Sequence, residues 1–175
     1  MDLSSVCFGN NKVCKKHICW SWIGAFAGIS LVAILSKFVL EGVGLSLIIG
    51  SFGASAVLLY GAHESPLAQP RNLVGGHFLS ALVGVTVMQV VPEMIWLAAP
   101  LAVATAIAVM QLTDTLHPPG GATALIAVIG GEPVVSLGYL YAIVPVTVGA
   151  LLMLGVALVV NRLAPGRCYP NSHFL

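Results

Sequence analysis

The sequence predicts an all-α membrane protein: two inverted repeats of three segments each, with a broken or short middle helix in each repeat. Three observations carry this expectation: an apolar composition, six apolar stretches whose flanking charges alternate in sign of side, and a pair of self-similar words. Of 175 residues, 58% are apolar and 7% are charged, against roughly 25% charge in a soluble domain. So few charges cannot cover a water-facing surface, and lipid is the expected solvent. Such a composition excludes a cytosolic enzyme, a nucleic-acid binder and a disordered chain. A net charge of +1 provides no bulk steering of a charged partner.

The domain plan is a cytoplasmic tail over 1–17, a single transmembrane domain over 18–162 and a second cytoplasmic tail over 163–175. The first apolar stretch, about Ile18–Leu40, is long enough to span. The second, about Leu45–Ala62, is interrupted by Gly50-Ser51-Phe52-Gly53. The third and fourth run about Leu73–Val91 and Met94–Leu112. The fifth, Pro118–Gly130, is too short to cross about 30 Å at about 1.5 Å per residue. The sixth runs about Leu137–Val160.

With six segments and an inner N-terminus, Lys12, Lys15, Lys16, Arg71, Arg162 and Arg167 fall inside, and Lys37 alone falls outside. Glu41, Glu93 and Glu132 fall outside. The six-to-one split of basic residues follows the positive-inside rule, and deleting the short fifth segment would spoil it. Both termini are therefore expected in the cytoplasm. Trp20, Trp22 and Trp96 suit an interfacial aromatic belt. No signal peptide is apparent, because Trp20–Leu40 lacks a small-residue cleavage site. Cys7, Cys14, Cys19 and Cys168 fit neither a zinc ribbon nor a redox pair, and free cytoplasmic thiols are expected.

The chain also resembles itself. Gly53-Ala54-Ser55-Ala56-Val57-Leu58-Leu59 matches Gly121-Ala122-Thr123-Ala124-Leu125-Ile126-Ala127 at an offset of 68, and Val83–Val87 matches Val144–Val148 at an offset of 61. The repeats then cover about 18–91 and 92–162. Three segments per repeat force opposite orientations in the membrane.

Breaks inside a membrane segment free backbone groups that lipid cannot satisfy, so they persist only where protein or a wet cavity covers them. Each break here precedes a short helical run, whose start offers free N–H groups and about half a positive charge. Two such starts meeting near the midplane would form an anion site. Its expected donors are the backbone at Gly53, Ala54 and Ser55, the backbone at Gly120, Gly121, Ala122 and Thr123, and the side chains of Ser51, Ser55, Thr115, Thr123 and His117. Small-residue helix packing is the competing explanation of these glycines.

His117, an intramembrane ionisable residue, is either a structural cap on its turn or a donor to the anion. Asp114 would fix its tautomer or cap the turn. Lys37 either snorkels or draws anions to the outer mouth. Arg71 reads as a topology signal, His63 and Glu64 as an inner gate, and His77 as a core histidine or a pathway residue. No two of His63, Glu64, His77, Asp114 and His117 share a ligand spacing on one helix, so no metal and no cofactor are expected. A hydrolase triad of Ser55, His117 and Asp114 is conceivable but lacks a nucleophile elbow, and no enzyme activity is expected.

The string Thr113-Asp114-Thr115-Leu116-His117-Pro118-Pro119-Gly120-Gly121-Ala122-Thr123-Ala124 resembles the signature of the HPP family of integral membrane proteins. Ser51–Ala56, Gln69-Pro70-Arg71-Asn72 and Gly75-Gly76-His77 resemble it too, and the likeness runs from about Trp20 to Arg162. The resemblance implies a small bacterial-type inner-membrane protein that moves nitrite or a similar small anion, since plant and cyanobacterial members are implicated in nitrite transport. No regulatory module is expected after Arg162. The expected partners are a small inorganic anion and the lipid bilayer, with no nucleic acid. The small-residue face Gly24-Ala25-Phe26-Ala27-Gly28 suits either a homo-oligomer or packing within one subunit. A membrane scaffold or assembly protein without transport activity, and a metal-ion carrier, are the rival readings. The first predicts dry packing of the breaks, and the second predicts converging histidines and carboxylates.

Overall fold

The structure, a computed structural model, describes residues 7–8, 13–40 and 48–171, with side chains over 15–38 and 48–171. Lys12, Glu41 and the expected start of the second segment at Leu45 lie outside these residues, as do the side chains of Cys7 and Cys14. Apart from a two-residue pairing of Cys7–Phe8 with Val13–Cys14, the described elements are helical.

Among the described residues, seven α-helices form in chain order: α1 Lys15–Leu35, α2 Ser51–Ala56, α3 Pro70–Val90, α4 Ile95–Leu112, α5 Pro118–Ile129, the single turn α6 Glu132–Val135, and α7 Val148–Leu163. Wider π-type turns extend α1 through Ser36–Leu40 and α2 through Val57–Gly61, and another, Ala142–Thr147, leads into α7 with a kink at Val144. Among the described residues, four spans are long and apolar enough to cross a membrane: Lys15–Phe38, Pro70–Val90, Ile95–Leu112 and Ala142–Leu163. Ser51–Gly61 and Pro118–Ile129 are the two short ones. The expected alternation of long, short and long segments therefore appears twice. The boundaries moved by a few residues, the sixth segment most, because Gly138 takes a left-handed turn and Val144 an extended conformation before regular helix begins.

Proline sets several starts. Pro70 and Pro118 open α3 and α5, where a missing N–H costs nothing. Large apolar side chains such as Trp22, Phe26, Phe38, Trp96, Leu101 and Leu112 are exposed, as lipid-facing surface requires.

One face of the molecule gathers both described ends of the chain. Arg167 donates to the carbonyls of His17 and Tyr60, and Tyr169 donates to the carbonyl of Ala68. This tail face thus holds the start of α1, the end of the α2 extension, the start of α3 and the end of α7. On the opposite, far face, Gly138 lies beside Gln89, and the Thr86 hydroxyl is 3.1 Å from the Tyr139 hydroxyl.

Helix α3 serves as a ruler between the faces. A Cβ on its Gly76 would meet His117 Cβ at 2.5 Å, and one on its Gly84 would meet the Ala124 carbonyl at 2.5 Å. From the other side, a Cβ on Gly120 would meet Ser80 Oγ at 2.7 Å. Gly76, Ser80 and Gly84 thus form a small-residue stripe on which α5 lies. Helix α5 starts beside Gly76, roughly 9 Å inward from Pro70 at about 1.5 Å per residue, and runs toward the far face. Helix α2 runs the other way, from a start beside Thr123 to the tail face. The core around them contains Phe52, Leu59, Tyr60, Tyr141 and Met153. Tyr60 crosses Gly24 and Gly28 of α1, where added Cβ atoms would strike its ring. The small-residue face of α1 therefore packs within the subunit.

Candidate functional site

Where the first turns of α2 and α5 pass each other, five polar side chains meet. Ser51 and Ser55 share one side of α2, four residues apart as helical periodicity requires. Thr123 comes from α5, His117 from the residue that precedes α5, and His77 from α3. Each is at most 1% exposed. Ser55 Oγ is 2.7 Å from His77 Nε2 and 3.0 Å from His117 Nε2. Thr123 Oγ1 is 2.7 Å from His77 Nδ1 and 2.9 Å from Ser51 Oγ. The two imidazoles lie edge to face with centroids 4.9 Å apart. Phe52 packs edge-on against His77 at 5.4 Å.

The pairing is reciprocal. Ser55 and Thr123 occupy equivalent positions in the two self-similar words, and they hold the two nitrogens of one ring. Each also approaches the carbonyl four residues earlier, Ser55 that of Ser51 at 3.3 Å and Thr123 that of Pro119 at 3.2 Å. These longer approaches compete with the histidine nitrogens for the single proton of each hydroxyl. Tyr141 donates to the Thr123 carbonyl, and His117 Nδ1 donates to the Leu67 carbonyl at 2.8 Å. Ser80, one turn beyond His77 on α3, has a buried hydroxyl without a hydrogen-bond partner.

The remaining expected residues fall elsewhere. Gly53 and Ala54 sit on the exposed side of α2, and the Gly53 N–H is already bonded to the Gly50 carbonyl. Gly121 and Ala122 are half-buried beside an apolar cleft lined by Val103, Ile107 and Leu125. Gly120 lacks a Cβ where α5 touches α3. Thr115 is buried against Gly75 and 2.8 Å from the Thr113 hydroxyl. Lys37 is exposed near the far end of α1.

Asp114 does not hold His117. Its backbone is left-handed, with φ 52°, and its exposed carboxylate stands 3.9 Å from Arg71. The Leu67 carbonyl takes the expected place of Asp114, so the Ser55–His117 contact carries no carboxylate behind it. Arg71 also donates to the Thr113 carbonyl, and Asn72 donates to the Leu116 carbonyl. Together they pin the turn before α5 to α3. Among the described residues, no group of three or more His, Cys, Asp or Glu converges.

His63 lies apart, on the tail face. It is buried, neither ring nitrogen has a hydrogen-bond partner, and Nε2 is 3.9 Å from Glu64. Burial lowers its pKa below 6.5, and the Arg167 guanidinium nearby adds to the effect. Arg167 and His63 line a cleft with His17, Ser21 and Ser65. Arg167 reads in the sequence as a topology charge only. A lone basic residue soon after the last span is its one sequence signal, and the signal is weak.

The sequence pattern described as "HPP, transmembrane region" matches residues 10–170. The chain belongs to the HPP transmembrane family. Two transmembrane proteins of Dictyostelium discoideum are each 46% identical to this HPP chain over 158 residues, 89% of its length. The match covers 55% of one relative and 50% of the other, so the chain spans about half the length of the curated relatives it matches. Both come from a eukaryote and lend no support to a bacterial setting. No solved structure matches this HPP chain. Family membership and four apolar spans make it a multi-pass membrane protein.

Proposed function

We propose that this chain moves a small monovalent anion, nitrite foremost, across a membrane through the place where α2 and α5 overlap. One observation carries the reading: Ser55 and Thr123, matching positions of the internal repeat, grip the two nitrogens of His77 from opposite sides. This is what an inverted repeat would produce at its centre. The helix directions agree with it, because α2 exits toward the tail face and α5 toward the far face.

The chemistry suits an anion. The cluster is made of hydroxyls and imidazoles with no carboxylate among them, so a cation would find no counter-charge. Nitrite accepts hydrogen bonds and donates none, and it could take the donors now spent inside the cluster. A permanent lysine or arginine here would hold the ion too tightly for release. The five side chains are closed off as they stand, so passage needs α2 and α5 to part. In this reading both chain ends face the cytoplasm, as the basic residues demand.

The test is flux in proteoliposomes with nitrite, nitrate, formate, chloride and zinc offered separately. Selective uptake of a small anion, slowed at least tenfold by Thr123→Val in folded protein, supports the reading. Folded protein that passes none of these anions overturns it and leaves a scaffold role in its place.

A further inference from the structure

The hydrogen bonds of the same cluster constrain where its protons sit. The Leu67 carbonyl can only accept, so His117 Nδ1 carries a proton. In a neutral His117 the Nε2 atom is then bare, and it takes the single hydroxyl proton of Ser55. With that proton spent, the 2.7 Å contact between Ser55 and His77 Nε2 requires the ring to donate. Neutral His77 is then bare at Nδ1 and accepts from Thr123. Every donor points one way, in the order Thr123, His77, Ser55, His117, Leu67.

One added proton reverses the three bonds from Thr123 to His117 and leaves His117 donating to the Leu67 carbonyl. The Thr123 proton passes to His77 Nδ1 as an incoming proton replaces it. The His77 Nε2 proton passes to Ser55 Oγ, and the former Ser55 proton passes to His117 Nε2. Each transfer breaks one N–H or O–H bond and forms another, and the charge ends on His117. The renewed Thr123 hydroxyl then donates to Ser51 Oγ, 2.9 Å away. The four contacts from Thr123 to Leu67 persist in both states, whereas the donation from Thr123 to Ser51 exists only in the second. Four of these groups are 0% exposed and Ser51 is 1% exposed, so the excess charge has no water to rest in and is a transient.

We propose that Thr123, His77, Ser55 and His117 form a proton relay, and that the anion crosses together with a proton. The coupling rests on the anion reading above, while the relay itself stands on the contacts alone. It also answers a physical difficulty: a mobile proton neutralises an anion in a low-dielectric site without leaving a fixed charge to trap it. On the tail side, Leu116 and Pro66, the neighbours of His117 and Leu67, line a cleft with Arg71, Asn72 and Asp114, which gives the proton an exit. Around the pair, α2 presents Ser51, Ser55 and Phe52, α4 presents Met110, and α5 presents Thr123. Tyr141 donates to the Thr123 carbonyl. The nearest charged pair, Arg71 and Asp114, is exposed on the tail face.

The experiment has two arms. In bilayers at neutral pH, nitrogen NMR of labelled histidines should show His117 as the Nδ1–H tautomer and His77 as the Nε2–H tautomer, and the opposite tautomer on either ring overturns the relay. In proteoliposomes containing a pH dye, nitrite uptake should be matched one for one by proton uptake above the protein-free background. Ser55→Ala should lower both at least tenfold and Ser55→Thr should restore them. Anion uptake without proton movement overturns the coupling and leaves the anion reading intact. Proton movement without anion uptake overturns the anion reading and supports the relay.

Discussion

At the residue scale, the cluster of two histidines and three hydroxyls works because each polar atom is matched inside a volume closed to water. Deleting one member strands another, which costs about 1–3 kcal/mol per buried unpaired group. Ser55→Ala strands nitrogens on two rings and should cost about 2 kcal/mol, read as a lower melting temperature in detergent. The glycines separate by what surrounds them. A Cβ at Gly76 would collide with His117 Cβ and the Thr115 carbonyl, whereas one at Gly53 meets nothing within 4 Å. Gly76→Ala should therefore destabilise by about 1–3 kcal/mol, and Gly53→Ala should leave the melting temperature unchanged or raised. His63 contributes to the acid response. Its folded-state pKa lies below the ordinary 6.5, so the unfolded chain takes up the proton first as pH falls. The stability that depends on neutral His63 is thus complete above that value and declines below it. His63→Gln should flatten the fall in melting temperature between about pH 7 and pH 5, and an unchanged slope would remove His63 from this role.

At the element scale, the short helices are held by what flanks them. The π-type extension of α2 delivers Tyr60 onto Gly24 and Gly28 of α1. Arg167 then closes the tail face, donating to Tyr60 and His17 carbonyls, Asn161 Oδ1 and Ser21 Oγ. Lysine can present three donors from one point and cannot span this fork. Arg167→Lys should cost about 2–3 kcal/mol and loosen the tail face, measured as faster hydrogen exchange over residues 60–69. Equal exchange in the variant would show that α2 is anchored without the guanidinium. The small-residue stripe on α3 explains why α5 can be short: it is covered by α3 and α4, so the polar groups at its start never meet lipid.

At the scale of the whole molecule, the arrangement commits both described ends of the chain to one side. Cys19 and Cys168 are exposed on the tail face. In sealed vesicles of a variant with Cys7 and Cys14 replaced by serine, a membrane-impermeant maleimide should label both from the same side. Labelling from opposite sides would break the topology, and with it the argument for two opposed half-helices.

Composition and charge alone pointed to a chain that lives in lipid, with six apolar segments, the second interrupted at Gly50–Gly53 and the fifth too short to cross. Those properties are additive along the chain: apolar length, glycine and proline breaks, and the side on which lysine and arginine fall are all local quantities. The self-similar words even placed Ser55 and Thr123 in matching positions. Only the tertiary structure decided what those positions touch. It brought His77 from α3 between them, replaced Asp114 with the Leu67 carbonyl behind His117, and turned Gly53 and Ala54 outward. A hydrogen bond between residues 22 or 46 positions apart depends on how three helices rotate about their axes, and that rotation is set by close packing of Gly76, Ser80 and Gly84 against α5. No single segment contains that information, because it belongs to the contact between them.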